Sequence, residues 1–114
     1  MKIAVTGAAG RVGRETLDAL SDHDVTAITH REHDDVKSTV ADLSERDTIE
    51  AAFRGAEVVV HLAADSNGSA TWESVLEANI DGTQTVYEAA RAAGVRRVVF
   101  ASSNHTTGMY NIAN

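Results

Sequence analysis

Three glycines stand three positions apart within residues 6–13, and this spacing limits the folds open to the chain. The apolar run at residues 2–6 leads into it, and residues 12–20 then carry apolar side chains at helical spacing. This order predicts a strand, a tight turn and a helix.

Each glycine meets a different physical need at this junction. Gly7 permits a sharp turn, Gly10 lets the backbone approach a pyrophosphate, and Gly13 lets the helix pack closely on the sheet. The start of the helix then presents unpaired N–H groups to the phosphates. A single glycine is common in any strand-to-helix turn, whereas three in this frame predict nucleotide binding.

Further strands and helices alternate along the chain. The predicted strands cover residues 2–6, 25–28, 36–40, 57–62 and 96–101, of which the third is weak. The predicted helices cover residues 12–20, 44–54 and 71–93. Ser44 is predicted to cap the second helix, and Gly82 to weaken the middle of the third. Gly55 and Gly94 are predicted to end these two helices. The alternation predicts right-handed crossovers and one parallel α/β sheet.

Size and charge limit the class of protein. With 114 residues, the chain is long enough for one core and one domain. Its formal charge is −7, from 17 acidic and 10 basic residues, so the basic stripe that a nucleic-acid surface requires is missing. Arginines outnumber lysines eight to two, and an acidic, lysine-poor surface is typical of proteins from a high-salt cytoplasm.

Other classes are disfavoured by what the sequence lacks. No apolar run approaches the ~20 residues that span a bilayer, and the chain begins without a signal-peptide cleavage site. We therefore expect a cytoplasmic protein with no membrane partner. The absence of cysteine excludes disulfides and thiolate ligands. No metal site is expected either, because His61 and His105 have no partners at ligand spacing.

Three further motifs accompany the glycine segment. These are HLAA at residues 61–64, NIDGT at residues 79–83 and FASS at residues 100–103. Together with the TGxxGxxG pattern of residues 6–13, they make the chain resemble the extended short-chain dehydrogenase/reductase family over essentially its whole length. The resemblance implies a Rossmann-type doubly wound parallel sheet of about five strands in the order 3-2-1-4-5. It also implies that residues 1–114 form the NAD(P)-binding domain.

Within that family, the run SSNH at residues 102–105 is similar to that of uronate dehydrogenases and related archaeal sugar and sugar-phosphate dehydrogenases. The resemblance implies that Ser103 is the catalytic serine that hydrogen-bonds the hydroxyl or carbonyl oxygen of the substrate. It implies sugar contacts for Ser66, Asn104 and His105. A hydroxyl, an amide and an imidazole at the carboxyl end of a strand suit a polyhydroxylated substrate.

The resemblance also assigns a set of cofactor contacts. They are Gly7, Ala9, Gly10, Arg11, Val12, Gly13, His30, Arg31, Asp42, Leu43, Leu62, Ala63, Ala64 and Asn79. Asp42 is implied to meet the adenine amino group and Leu43 to lie against the ring, although Asp42 also fits a loop cap before the next helix. Ala63 and Ala64 are implied to approach the cofactor through their backbone. Asn79 is implied to support the structure beside the site.

The choice between NAD and NADP depends on the end of the second strand. NAD-using relatives carry an acidic residue there, whereas this chain has His30 followed by Arg31. A guanidinium beside the ribose can pair with a 2′-phosphate, which favours NADP. Alternatively, Arg31 is a solvated loop arginine, and Asp34 or Asp35 serves the ribose.

The family's general base is a tyrosine followed four residues later by a lysine, and this pair does not occur in the sequence. Tyr87 is followed at that spacing by Arg91, and Tyr110 by Asn114. In relatives, the pair and the substrate-binding portion lie further along the chain. We therefore expect either the N-terminal part of a dehydrogenase or a short natural protein without the base.

The leading hypothesis is an NAD(P)-dependent sugar dehydrogenase that oxidises the anomeric carbon of an aldose, uronate or sugar phosphate to a lactone. One alternative is a nucleotide-sugar epimerase or dehydratase, which would use the cofactor transiently. A second alternative is a non-catalytic dinucleotide-binding module. The resemblance further implies a homodimer formed through the helix at residues 71–93.

Overall fold

The computed structural model describes residues 1–103, so Asn104, His105 and Tyr110 lie outside the described residues. The strands in residues 1–103 are β1 (Lys2–Thr6), β2 (Asp24–Thr29), β3 (Thr39–Val40), β4 (Val58–His61) and β5 (Arg97–Phe100). All neighbouring strands pair in parallel, in the order β3-β2-β1-β4-β5. The predicted fold class and strand order are confirmed.

Helices cover both faces of the sheet. They are α1 (Arg11–Ala19), α2 (Arg46–Phe53), α3 (Trp72–Val75) and α4 (Gly82–Ala92), and the π-helical segment Leu76–Asp81 joins α3 to α4. Successive side chains of a strand point to opposite faces. Ala4 therefore packs in a cluster with Phe53 and Val86, from α2 and α4, whereas Ile3 and Val5 pack in a second cluster on the α1 side. Each face of the sheet has its own apolar core.

The predicted stop at the end of α4 is confirmed by its hydrogen bonds. The Gly94 N–H donates to the Arg91 carbonyl at 3.2 Å, and the Val95 N–H donates to the Ala90 carbonyl at 2.9 Å. This pair of bonds is a Schellman closure, in which the residue after the cap takes a left-handed conformation that glycine adopts without strain. The closure turns the chain from α4 into β5.

The third strand is shorter than predicted. Only Thr39 and Val40 pair with β2, opposite Ile28 and Thr29. Val36 instead bonds back to His33, with 3.4 Å between its N–H and the His33 carbonyl. The residues from 36 to 38 therefore belong to the connection between β2 and β3.

The helix predicted over residues 71–93 is a single run, but its middle is π-helical. Gly82 does not interrupt it. A Cβ at Gly82 would lie 3.0 Å from Leu43 Cδ1 and 3.3 Å from the Glu77 carbonyl oxygen. The missing side chain thus makes room for Leu43, which comes from the loop after β3.

Candidate functional site

A cleft of about 780 Å³ opens at the carboxyl ends of β1, β2 and β4. Parallel α/β sheets bind ligands at this edge, where the strand order reverses. Its walls come from the glycine segment, from the connections after β2, β3 and β4, and from one face of the helical run. The predicted cofactor residues on these walls are Gly7, Ala9, Gly10, Arg11, Val12, Gly13, His30, Arg31, Asp42, Leu43, Leu62, Ala63 and Ala64.

Two glycines of this segment, Gly7 and Gly13, are packed too tightly for a side chain. Gly7 has a φ of +69°, and a Cβ there would lie 2.7 Å from the Ala63 nitrogen. A Cβ on Gly13 would overlap the Gly7 carbonyl oxygen and lie 2.7 Å from the carbonyl carbon of Ala8. The Gly10 N–H donates to the Gly7 carbonyl at 3.0 Å and closes the turn. The end of β1, the start of α1 and the loop after β4 therefore meet backbone to backbone.

The first turn of α1 opens toward the cleft. Its first hydrogen bond runs from the Arg14 N–H to the Gly10 carbonyl, at 3.0 Å. The amides of Arg11, Val12 and Gly13 precede this bond and so have no acceptor within the helix. All three residues line the cleft, and Val12 is 62% exposed. Such amides, at the positive end of the helix dipole, favour an anion.

Arg14 and Asp35 form an ion pair outside this cleft. The Arg14 Nε also donates to the Ala9 carbonyl at 2.9 Å, which braces the glycine segment. The hydrogen bond from Arg14 lowers the pKa of Asp35, and the two side chains border a second cavity of about 540 Å³. Neither Asp34 nor Asp35 is among the described residues that line the first cleft.

The connection after β2 brings His30, Arg31 and His33 to the cleft. The Thr29 hydroxyl donates to the Arg31 carbonyl at 2.8 Å and lies 2.6 Å from the Ser38 hydroxyl, which fixes the connection. His33 was not predicted as a site residue. Its position in the same short connection as Arg31 is the signal that would have found it.

Asp42 and Leu43 stand on the cleft wall after β3. Asp42 Oδ1 accepts hydrogen bonds from the Ser44 N–H at 2.8 Å and from the Ser44 hydroxyl at 2.7 Å. These bonds lower the pKa of Asp42 and hold its carboxylate in place. The prediction that Ser44 caps α2 is wrong, because the cap position is Glu45 and the Ser44 hydroxyl is bonded to Asp42.

The loop after β4 is held by Asp65 and Asn79. The Asp65 N–H donates to Asn79 Oδ1 at 2.7 Å, and Asn79 Nδ2 donates to the Asp65 carbonyl at 3.0 Å. The Asp65 carboxylate accepts hydrogen bonds from the Ser74 hydroxyl and the Asn67 N–H, which lower its pKa. Ser66 follows Asp65 and lines the cleft. Asn79 is not among the described residues on the cleft wall, but it is hydrogen-bonded to Asp65, which is.

Ser103 follows β5 at the same edge of the sheet as the cleft, and it is exposed. The Ala101 N–H donates to the His61 carbonyl at 3.1 Å, which extends the pairing of β5 with β4. Asn104 and His105 lie outside the described residues, so their sugar contacts stay predictions.

Residues 1–103 contain no group of three or more histidine, aspartate or glutamate side chains placed to hold a metal ion. No helix in that part of the chain is long and apolar enough to cross a membrane.

The strand order and the cleft together define a Rossmann-type α/β protein. The model of the NAD dependent epimerase/dehydratase family matches residues 3–112. The chain belongs to this family, which confirms the resemblance inferred from its motifs.

Among its relatives are sugar dehydrogenases. The chain is 58% identical over 113 residues to the L-arabinose 1-dehydrogenase (NAD(P)(+)) of Haloferax volcanii, covering 98% of this chain and 44% of that protein. It is 41% identical to the NAD-dependent glucose-6-phosphate dehydrogenase of the same organism, and the match covers 95% of this chain and 45% of that protein. A mutant uronate dehydrogenase from Agrobacterium tumefaciens, crystallised with NAD, superposes with a TM-score of 0.82 at 35% identity. The superposition covers 92% of this chain and 42% of that protein. The chain thus spans less than half the length of each relative.

Proposed function

We propose that the cleft binds NAD or NADP, and that the protein carrying this chain is an NAD(P)-dependent sugar dehydrogenase. The observation that carries the proposal is the start of α1, where the amides of Arg11, Val12 and Gly13 face a cleft bordered by glycine backbone. A diphosphate suits this cradle, because glycine backbone can approach it closely and the helix dipole favours its charge.

The remaining walls suit the other parts of a dinucleotide. Asp42 offers a fixed carboxylate to an adenine amino group, and Leu43 offers an apolar surface to the ring. Ala63 and Ala64 supply small side chains along the middle of the cleft. When bound, an oxidised nicotinamide would accept the hydride from the anomeric carbon of the sugar. Ser103 would polarise the substrate oxygen. The sugar would be oriented by Ser66, Asn104 and His105.

Arg31 favours NADP, because a guanidinium at the ribose end can pair with the 2′-phosphate. We expect the chain to bind NADPH more tightly than NADH. Arg31→Ala is expected to weaken NADPH binding about tenfold and to leave NADH binding within about twofold. Titration calorimetry at constant ionic strength measures both affinities. Arg54→Ala removes an exposed arginine outside the cleft and serves as the control. Tighter NADH binding by the wild type would contradict the preference, as would equal losses for both coenzymes.

Sugar oxidation is supported by relatives named for L-arabinose, glucose 6-phosphate and uronate. We expect the full product of the reading frame that contains this chain to accumulate NADH or NADPH with one of these sugars. Absorbance at the reduced-nicotinamide band records the reaction, and a matched sugar alcohol, which has no anomeric carbon, is the control. Absence of net reduction with every aldose, uronate and sugar phosphate would contradict a dehydrogenase.

A nucleotide-sugar epimerase or dehydratase is the second candidate. The matching family model is named for epimerases and dehydratases, and a UDP-galactose 4-epimerase structure superposes with a TM-score of 0.86 at 30% identity. Such an enzyme would convert a nucleotide sugar with no net accumulation of reduced cofactor. Cofactor binding with no turnover of either substrate class would indicate a non-catalytic module.

The proposal takes residues 1–114 as one NAD(P)-binding domain of a cytoplasmic protein, and the net charge of −7 supports a high-salt setting. It also includes a homodimer through the helical run at residues 71–93. Ile80 and Tyr87 on that run are 49% and 46% exposed, and a partner helix would cover this apolar surface.

A further inference from the structure

His61 is buried at the end of β4, directly below the cleft. Its side chain is among the largest that are fully buried, at 1% exposure. The Nδ1 atom lies 2.7 Å from the Thr6 hydroxyl oxygen, and Nε2 lies 3.1 Å from the Thr83 hydroxyl oxygen. The ring stacks on Phe100 with 5.6 Å between centroids. One imidazole therefore joins β1, β4, β5 and α4.

The hydrogen bonds around Thr6 assign the protons of this group. The Thr6 hydroxyl oxygen accepts from the N–H groups of Leu62 and Ala63, both at 3.3 Å, and the Leu62 N–H is shared with the Thr6 carbonyl oxygen, also at 3.3 Å. Its lone pairs face these amides, so its single proton is directed to His61 Nδ1. Nδ1 then carries no proton, and Nε2–H donates to the Thr83 hydroxyl. Burial lowers the pKa of His61 to about 4, which agrees with a neutral ring.

We propose that His61 is a positioning residue for the dinucleotide site, because by accepting the Thr6 hydroxyl proton it keeps that oxygen aimed at the amides of Leu62 and Ala63. This inference rests on the proposed function, since it concerns how the same cleft holds a dinucleotide. Ala63 lines the cleft, and its nitrogen would be only 2.7 Å from a Cβ on Gly7. A shift of the Ala63 backbone therefore moves both the cleft wall and the glycine turn.

Protonation of His61 would reverse this arrangement. An imidazolium donates from both nitrogens, so the Thr6 oxygen would have to turn a lone pair from the amides toward Nδ1. The hydrogen-bonding and stacking partners of the ring are Thr6 from β1, Thr83 from α4 and Phe100 from β5, and none of them carries a charge. No described carboxylate in contact with the ring offsets the charge of an imidazolium.

Two substitutions separate the two ends of the ring. In His61→Asn the side-chain oxygen is bonded to Cγ, as Nδ1 is in histidine. It can therefore still accept the hydrogen bond from Thr6, while the hydrogen bond to Thr83 is lost. In His61→Gln the amide reaches the place of Nε2, so its nitrogen can still donate to Thr83 while Thr6 loses its acceptor. His61→Gln loses the buried hydrogen bond to Thr6 and His61→Asn loses the part-buried one to Thr83, so we expect drops in thermal midpoint of the same order, with the larger one for His61→Gln.

The two variants are expected to differ in binding. Titration with NADH and NADPH at pH 7 should give about tenfold weaker binding for His61→Gln and a change within about twofold for His61→Asn. A merely structural role would weaken both variants equally or neither, and either result overturns the inference. If a variant fails to fold, His61→Leu, which also leaves the Thr6 hydroxyl without its acceptor, replaces His61→Gln, and Thr83→Val, which also removes only the Nε2 bond, replaces His61→Asn. Loss of binding is then expected only for His61→Leu. If the wild type binds neither dinucleotide, the proposed function fails and this inference fails with it.

Discussion

Replacing Gly13 by alanine is expected to destabilise the chain by about 3 kcal/mol or more and to abolish dinucleotide binding. The new Cβ would overlap the Gly7 carbonyl oxygen and lie 2.7 Å from the carbonyl carbon and oxygen of Ala8. These are backbone atoms in a closed turn, so they cannot rotate away as a flexible side chain would. The start of α1 must move off the sheet, and its free amides lose their position. Urea unfolding and calorimetric titration measure the two effects.

Gly55→Ala is the matched control. Gly55 has a φ of +80°, and a Cβ there would meet nothing within 4 Å. Its replacement therefore costs only the left-handed strain, about 1 kcal/mol, and leaves binding unchanged. A Gly13→Ala variant that unfolds at the same urea concentration as Gly55→Ala and still binds would show that the close contact at the helix start is not required.

The second large effect is loss of stability in mild acid. The pKa of His61 falls from 6.5 to about 4 on folding because the ring is buried, which corresponds to about 3 kcal/mol. As the pH falls, the unfolded chain takes up the proton first, so folding becomes less favourable. This contribution is complete above pH 6.5, declines below it, and is fully lost once the pH has passed through about 4. Urea unfolding from pH 7.5 to pH 4 measures the slope.

His61→Asn isolates the histidine in this experiment, because asparagine does not titrate. We expect its stability to vary little between pH 6.5 and pH 4.5. The lowered pKa values of Asp42 and Asp65 add stability that is present above pH 3.8 and lost below it, so they act in a different window. A wild type whose stability is flat down to pH 4.5 would show that the ring is not buried as a neutral group.

The sheet and its ligand edge could be predicted because they rest on local patterns. Alternating strands and helices dictate parallel crossovers, and the glycines of residues 6–13 mark the strand-to-helix turn. The length of β3 could not be predicted, since its two residues are defined by pairing with Ile28 and Thr29 on another strand. The π-helical segment was missed for a similar reason. Asn79 lies inside it and binds Asp65 in the loop after β4, a tertiary contact that apolar periodicity does not record.

The candidate site also contains residues that the sequence predicted and contacts that it could not predict. Residues adjacent to strand ends, such as Arg31 and Asp42, were predicted and lie on the cleft. Asp35 is only four residues from Arg31, yet it points to Arg14 at the other cavity, because an arginine from α1 was within reach. His61 follows a run of three valines, and a strand so apolar is predicted to be buried. Its link to Thr6 and Thr83 required the register of β1 with β4 and the position of α4.

The central claim is that backbone amides at the start of α1 bind the diphosphate of a pyridine dinucleotide. Two-dimensional NMR of the isotopically labelled chain, titrated with NADPH and then NADH, reports on each amide directly. The account predicts that the signals of Arg11, Val12 and Gly13 shift most, with smaller changes at Ala63 and Asp42 in the cleft. Saturating dinucleotide that leaves those three amides unmoved, or that shifts only residues around the Arg14–Asp35 cavity, would contradict it.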